Sequence, residues 1–170
     1  EAELQHVLGI NLFKQRDFER ALTLLQAVAR KDPERYYSAS FILGKYYYEN
    51  NKYAEAEENF VAYLKQKGSD HKVHGVLGNI YLRQGRHDDA LREFETVRKL
   101  NPSDLRALTN VGNILYQRQD FAGAADIFRT ILQSKPKRSS LHYNLASCYL
   151  QLGRPAEAER YYRSFLELRP

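Results

Sequence analysis

Cysteine is almost absent from this chain of 170 residues, which contains only Cys148. A single cysteine cannot form an intrachain disulfide, which fits a reducing compartment and also fits the many exported proteins that have no disulfides. No run of 18 apolar residues occurs, and no signal peptide opens the chain. The sequence therefore predicts no membrane span.

An excess of one charge sign is also nearly missing, because 26 basic residues face 21 acidic ones. Residues 1–85 carry 12 basic and 11 acidic residues, and residues 86–170 carry 14 and 10. This basic bias does not predict nucleic-acid binding. There is no initiator methionine before Glu1, so we expect upstream sequence to have been removed. A cytoplasmic location is favoured, and an exported one stays open if a signal preceded Glu1.

A repeat of about 34 residues organises the chain. Aligned on a small residue, the copies are spaced by 35, 34, 34 and 34 residues: Ala21, Ala56, Ala90, Ala124 and Ala158. A second small residue precedes each of these by 12 positions: Gly9, Gly44, Gly78, Gly112 and Ala146. A chain-breaking residue closes each copy: Pro33, Gly68, Pro102, Pro136 and Pro170. Each copy has the apolar spacing of two amphipathic helices.

Glycine within a helix is unfavourable by about 1 kcal/mol relative to alanine, so its recurrence needs a packing reason. We expect the glycine and alanine positions to lie where the two helices of a copy meet. Leucine, tyrosine and phenylalanine positions are expected to fill the space between copies, since no copy can bury its apolar face alone.

The pattern resembles the tetratricopeptide repeat family over essentially the whole chain, in five tandem repeats. The resemblance implies an all-α fold, an α-solenoid of antiparallel helix pairs forming a right-handed superhelix whose first helices line a concave groove. We expect one array over residues 1–170 that is a fragment of a longer chain, with repeats at approximately 2–36, 37–70, 71–104, 105–138 and 139–170.

The groove implied by this resemblance would present polar, basic and aromatic side chains of the first helices. Its most informative members are asparagines, which offer both donors and an acceptor and can hold the backbone of an extended peptide, as in other groove readers of the family. The candidate partner-binding residues are Asn79, Asn110, Asn113, Asn144, Lys45, Lys72, Arg83, Arg106, Tyr48 and Tyr116.

The predicted function is a protein–protein interaction module that binds an extended segment of a partner, an acidic segment being one candidate. The clamp that co-chaperone members use for acidic C-terminal tails is not expected, because Gly75, Ser140 and Asn144 stand where the clamp needs basic residues to hold a carboxylate. The alternative function is a scaffold that self-associates through its ends or convex face, with the end at Pro170 as the contact.

No enzyme, cofactor or metal site is predicted. His71 and His74 lie one turn apart beside Asp70, but two histidines without a further ligand make a poor metal site. Cys148 is expected to pack in the core. The basic run Lys135–Arg138 falls where the repeat requires a solvent-facing junction, so it is interpreted as a consequence of the repeat.

Overall fold

The computed structural model describes residues 1–169, which form ten α-helices and no strand. This confirms the predicted all-α class. The helices are α1 (Ala2–Lys14), α2 (Phe18–Lys31), α3 (Tyr37–Glu49), α4 (Tyr53–Lys67), α5 (His71–Arg83), α6 (His87–Leu100), α7 (Leu105–Gln117), α8 (Phe121–Ser134), α9 (Ser139–Gln151) and α10 (Pro155–Glu167). None of these helices is both long enough and apolar enough to cross a bilayer.

The helices fall into two compact units, Glu1–Gln84 with α1 to α5 and Gly85–Pro170 with α6 to α10. Within each unit every helix packs against the next one along the chain. The odd-numbered helices begin at the residues where the sequence predicted the repeats to begin. The single continuous array stays a prediction, and Pro170 lies outside the described residues.

Aspartate side chains cap several helix starts by accepting backbone N–H groups. Asp104 accepts from the amides of Arg106 and Ala107 at 3.0 and 3.1 Å, and Asp120 accepts from that of Gly123 at 2.9 Å. α9 has no side-chain cap, since Arg138 is at its N-cap position and Ser139 is its first helical residue.

The turn inside each predicted repeat contains one residue with a positive φ. The residue lies 14 positions after the start of the preceding odd-numbered helix in all five cases: Arg16 (66°), Asn51 (58°), Gly85 (73°), Gln119 (64°) and Gly153 (70°). A left-handed conformation is easy for glycine and strained for most other residues. The backbone conformation is therefore repeated even where the residue type is not.

The repeated small residues are buried, as the sequence predicted. The five aligned alanines have exposed fractions of 0 to 2%. Adding a Cβ atom to Gly112 would place it 2.6 Å from Cε1 of Phe128, and adding one to Gly44 would place it 2.9 Å from Cδ1 of Phe60. The glycine thus makes room for the aromatic ring of the second helix. These phenylalanines pack within their own helix pair, and not only between repeats as expected.

Candidate functional site

Six side chains from α7 and α9 line one concavity of about 350 Å³ in the second unit, with Phe128 of α8 among its walls. Three of the six are predicted site residues. The α7 and α9 residues are Asn113, Tyr116, Gln117, Tyr143, Asn144 and Ser147. We call this concavity the amide pocket.

Helical spacing places the pocket residues of α7 on one face of that helix, and likewise those of α9. On α7, Asn113 is followed three and four positions later by Tyr116 and Gln117, which lie on the same face of a helix. Tyr143 and Ser147 have the same four-residue spacing on α9. Gly112 permits the close approach of Phe128, which is 1% exposed. The ring of Phe128 therefore packs against α7 and forms part of the pocket wall.

The aromatic walls of the amide pocket are held by ring contacts and one hydroxyl. The ring of Tyr143 lies 5.7 Å from that of Tyr162 and 5.4 Å from that of Phe165. Ser147 donates a hydrogen bond to the Tyr143 carbonyl at 3.0 Å, and its hydroxyl lies 3.2 Å from that of Tyr162. These contacts position Tyr143 and Ser147 within the fold.

The amide pocket is uncharged, since amides, phenols, a hydroxyl and a phenyl ring make up its described lining. Burial raises the pKa of Tyr116, and the nearby Cys148, Tyr162 and Tyr143 raise it further. Its phenol stays protonated at neutral pH and can donate a hydrogen bond. The pocket suits an uncharged group flanked by hydrogen-bonding partners.

In the first unit, Tyr53 links two predicted site residues. Its ring lies 6.1 Å from that of Tyr48, and the Arg83 guanidinium carbon lies 5.5 Å from its centroid. Sequence reasoning missed Tyr53, although aromatic residues begin three of the five second helices: Phe18, Tyr53 and Phe121. Corresponding ring contacts join Phe13 to Phe18 and Tyr116 to Phe121 at 5.2 and 5.1 Å.

The other predicted site residues are not gathered in the amide pocket. Lys45 is exposed and pairs with Glu49 at 3.8 Å, while Lys72 and Arg106 are exposed near the starts of their helices. Asn79 and Asn110 are half-buried, and each already interacts within the protein. The asparagines that the sequence grouped together thus have different surroundings.

Asp70 serves a structural role beside the two histidines. Its carboxylate accepts hydrogen bonds from the Tyr63 hydroxyl and the Lys72 amide, both at 3.0 Å, and from the Val73 amide at 3.4 Å. Burial by itself would raise the pKa of Asp70, but these hydrogen bonds outweigh it and hold the pKa below its usual value. No group of three possible metal ligands is found in residues 1–169.

Cys148 lies in the core of the second unit, as predicted, with no exposed surface. Burial raises the pKa of its thiol to about 11. The thiolate form is therefore scarce at neutral pH, and the residue behaves as a small apolar side chain.

Comparison with known proteins identifies the repeat. A family model described as tetratricopeptide repeat matches residues 6–71 and 76–139, and a second model of that description matches residues 115–167. None of the curated protein sequences compared with the chain matches it significantly.

Solved structures share the fold over nearly the whole chain. YrrB, described as a TPR protein with an unusual peptide-binding site, has a TM-score of 0.84 at 19% identity, covering 100% of this chain and 87% of its own. One structure of MamA has a TM-score of 0.81 at 25% identity, covering 98% of this chain and 91% of its own. The predicted α-solenoid class of paired helices is thus confirmed, and the chain belongs to the tetratricopeptide repeat family.

Proposed function

We propose that this chain is a protein-interaction module whose second unit binds an extended segment of a partner protein over α7 and α9. The observation that carries the proposal is the amide pocket, where Asn113 and Asn144 come from two first helices and flank aromatic walls. YrrB, which has the same fold, supports a peptide as the ligand class.

The pocket offers two kinds of contact. The side-chain amides of Asn113 and Asn144 can each donate to a peptide carbonyl and accept from a peptide N–H, which holds a backbone without selecting its sequence. Between them, Phe128, Tyr116 and Tyr143 can receive one uncharged side chain. Specificity would then arise from the size and polarity of that side chain.

The proposal is one of binding and involves no catalytic step, in keeping with the family's general role as an interaction module. Neutral amides and a phenol with a raised pKa are suited to hydrogen bonding rather than to proton transfer near pH 7.

The test uses peptides selected by phage display against the whole chain. The variant Asn113→Ala/Asn144→Ala removes the two amides, and Gln133→Ala, an exposed amide on α8, is the matched control. Two hydrogen bonds of about 0.5–1.5 kcal/mol each predict roughly 5- to 150-fold weaker binding of the selected peptides by the double variant. Calorimetric titration should show unchanged affinity for the control.

Selected peptides that bind the double variant as tightly as the wild type would place the binding surface elsewhere. Thermal melting of each variant checks that the fold is retained. Amide chemical-shift changes should concentrate on α7 and α9 when a selected peptide is added.

A second candidate function, self-association through the ends, is favoured by exposed apolar side chains on the first and last helices. Leu4, Val7 and Leu8 of α1 are 70%, 51% and 42% exposed, and Leu166 of α10 is 63% exposed. Leu132 of α8 holds the repeat position that corresponds to Leu166. It packs against a core cluster that includes residues of α9, the next helix. A second copy could therefore place α10 against α1.

Light scattering decides between a monomer and such an assembly. If α10 of one copy covers α1 of the next, the average mass should rise with concentration, and Leu166→Lys should abolish the rise. Arg160→Lys, on the same helix, is the control. A mass that stays that of one chain at all concentrations would refute this second candidate.

A further inference from the structure

The cations of the second unit that lack acidic partners are concentrated at one end of its helices. Seven arginines of this unit are paired with carboxylates, through the ion pairs Arg86–Asp89, Arg92–Asp89, Arg98–Glu95, Arg118–Asp88, Arg129–Asp126, Arg154–Glu157 and Arg163–Glu159. Seven other cations make no ion pair within residues 1–169, of which Arg160 lies in α10 and Arg169 follows that helix. The remaining five lie at one end of the unit: Lys99, Arg106, Lys135, Lys137 and Arg138. We call these five residues the basic edge.

Chain topology explains the clustering. Lys99 and Arg106 flank the connection from α6 to α7, and the other three lie in the connection from α8 to α9. Because successive helices run in opposite directions, these two connections lie at the same end of the unit. Leu105, the first residue of α7, lines one hollow together with the α8–α9 connection, which shows that the two are neighbours.

This hollow has a volume of about 500 Å³ and is lined by Leu105, Ser134, Lys135, Pro136, Lys137 and Arg138. Its position is fixed by two contacts of the connection. The Arg138 amide donates to the Lys135 carbonyl at 3.2 Å, and His142 Nε2 lies 2.7 Å from the Pro136 carbonyl oxygen. Apolar groups of Leu105 and Pro136 thus lie among three cations at a structured connection.

We infer that the basic edge binds an acidic segment of a partner protein, with one apolar side chain of that segment in the hollow. Carboxylates would pair with Lys135, Lys137 and Arg138, while the apolar side chain contacts Leu105 and Pro136. This site is separate from the uncharged amide pocket and does not depend on the function proposed for it.

The lining favours a peptide over other anions. No aromatic ring lines the described hollow, so it lacks the stacking surface on which single-stranded nucleic acids depend. A membrane surface would require apolar side chains that protrude into it, whereas a hollow receives a side chain from its ligand. An acidic segment with a leucine satisfies both the charge and the shape.

Fluorescence anisotropy with a labelled peptide, in which glutamates flank one leucine, tests the inference on the whole chain. The variant Lys135→Gln/Lys137→Gln/Arg138→Gln should bind this peptide roughly tenfold more weakly than the wild type, since each exposed ion pair contributes modestly. The control Arg129→Gln/Arg160→Gln/Arg163→Gln removes the same charge from α8 and α10 and should retain wild-type affinity. Asn113→Ala/Asn144→Ala should also bind this peptide normally.

Further probes separate the ligand classes. Replacing the glutamates by glutamine, or the leucine by serine, should weaken binding by the wild type, and raising the salt concentration should do the same through screening. No detectable peptide binding, or equal losses in the two triple variants, would overturn the inference. Tighter binding of a polyuridine oligonucleotide or of phosphatidylserine vesicles through the same three residues would also overturn it.

Discussion

Replacing Gly112 by alanine sets two known effects against each other. Alanine is favoured over glycine inside a helix by about 1 kcal/mol, so helix propensity alone predicts a more stable protein. The new Cβ, however, would lie 2.6 Å from Cε1 of Phe128. Optimal carbon–carbon contacts are about 3.5–4.0 Å, so the ring or α7 must move by roughly 1 Å.

Phe128 has little space into which it can move, since it is 1% exposed and lies in the core of the second unit. Overpacking of this kind is unfavourable by about 1–3 kcal/mol, and the short distance favours the upper part of that range. We therefore expect Gly112→Ala to lower the free energy of unfolding by about 1–2 kcal/mol after the propensity gain is subtracted. Urea denaturation followed by far-UV circular dichroism measures this change.

Two further variants isolate the cause. Ala27→Gly, at an exposed position within α2, reports the propensity term without a packing contact. In the double variant Gly112→Ala/Phe128→Leu, the smaller side chain should relieve the overlap, so the loss should be less than the sum of the two single losses. A Gly112→Ala protein as stable as the wild type, or an additive double variant, would refute the reasoning.

Three more predictions concern Cys148, Asp70 and Tyr63. Cys148, whose pKa is raised to about 11, should react with Ellman's reagent only after denaturation; fast labelling of the folded protein would contradict its burial. Asp70→Ala should lower the free energy of unfolding by about 0.5–2 kcal/mol in urea titrations at pH 7 through loss of the α5 cap, whereas Asp70→Asn should lose less. Because the pKa of Asp70 is lowered in the fold, its contribution is full above the unfolded value near 3.8 and is lost as pH falls through the folded value. Tyr63→Phe removes one donor to that carboxylate and should move the acid-unfolding midpoint to higher pH; an unchanged midpoint would show that this hydrogen bond does not stabilise the folded carboxylate.

The repeat in the sequence was sufficient to predict the helices and the buried small residues, because both depend on local spacing. The extent to which a neighbouring repeat buries a given side chain was harder to predict. Leu8 corresponds to Leu43, Leu77, Val111 and Leu145, which are 0 to 1% exposed, yet it is 42% exposed. Leu43 is covered by Leu25 and Val28 of α2, whereas no described helix precedes α1. The same residue in the same repeat position therefore has a different environment.

The candidate site was predictable only in part for a related reason. Helix position indicated that Asn113, Tyr116 and Asn144 would share a face, and they line one pocket. Position could not show that Asn79 and Asn110 are already engaged within the protein, because such contacts depend on the three-dimensional surroundings of each side chain. Three residues of the basic edge were visible in the sequence as the run Lys135–Arg138, but the sequence does not show that Leu105 lies beside them or which arginines are paired.

The fixed place of the left-handed residue has a consequence for how such a chain can change in length. An added residue inside the turn would rotate the second helix by about 100° about its axis and turn its apolar face from the core. The connections between repeats already vary from three residues at 68–70 to five at 32–36. Insertions and peptide tags should therefore be accepted in the connections between hairpins and rejected in the turns within them.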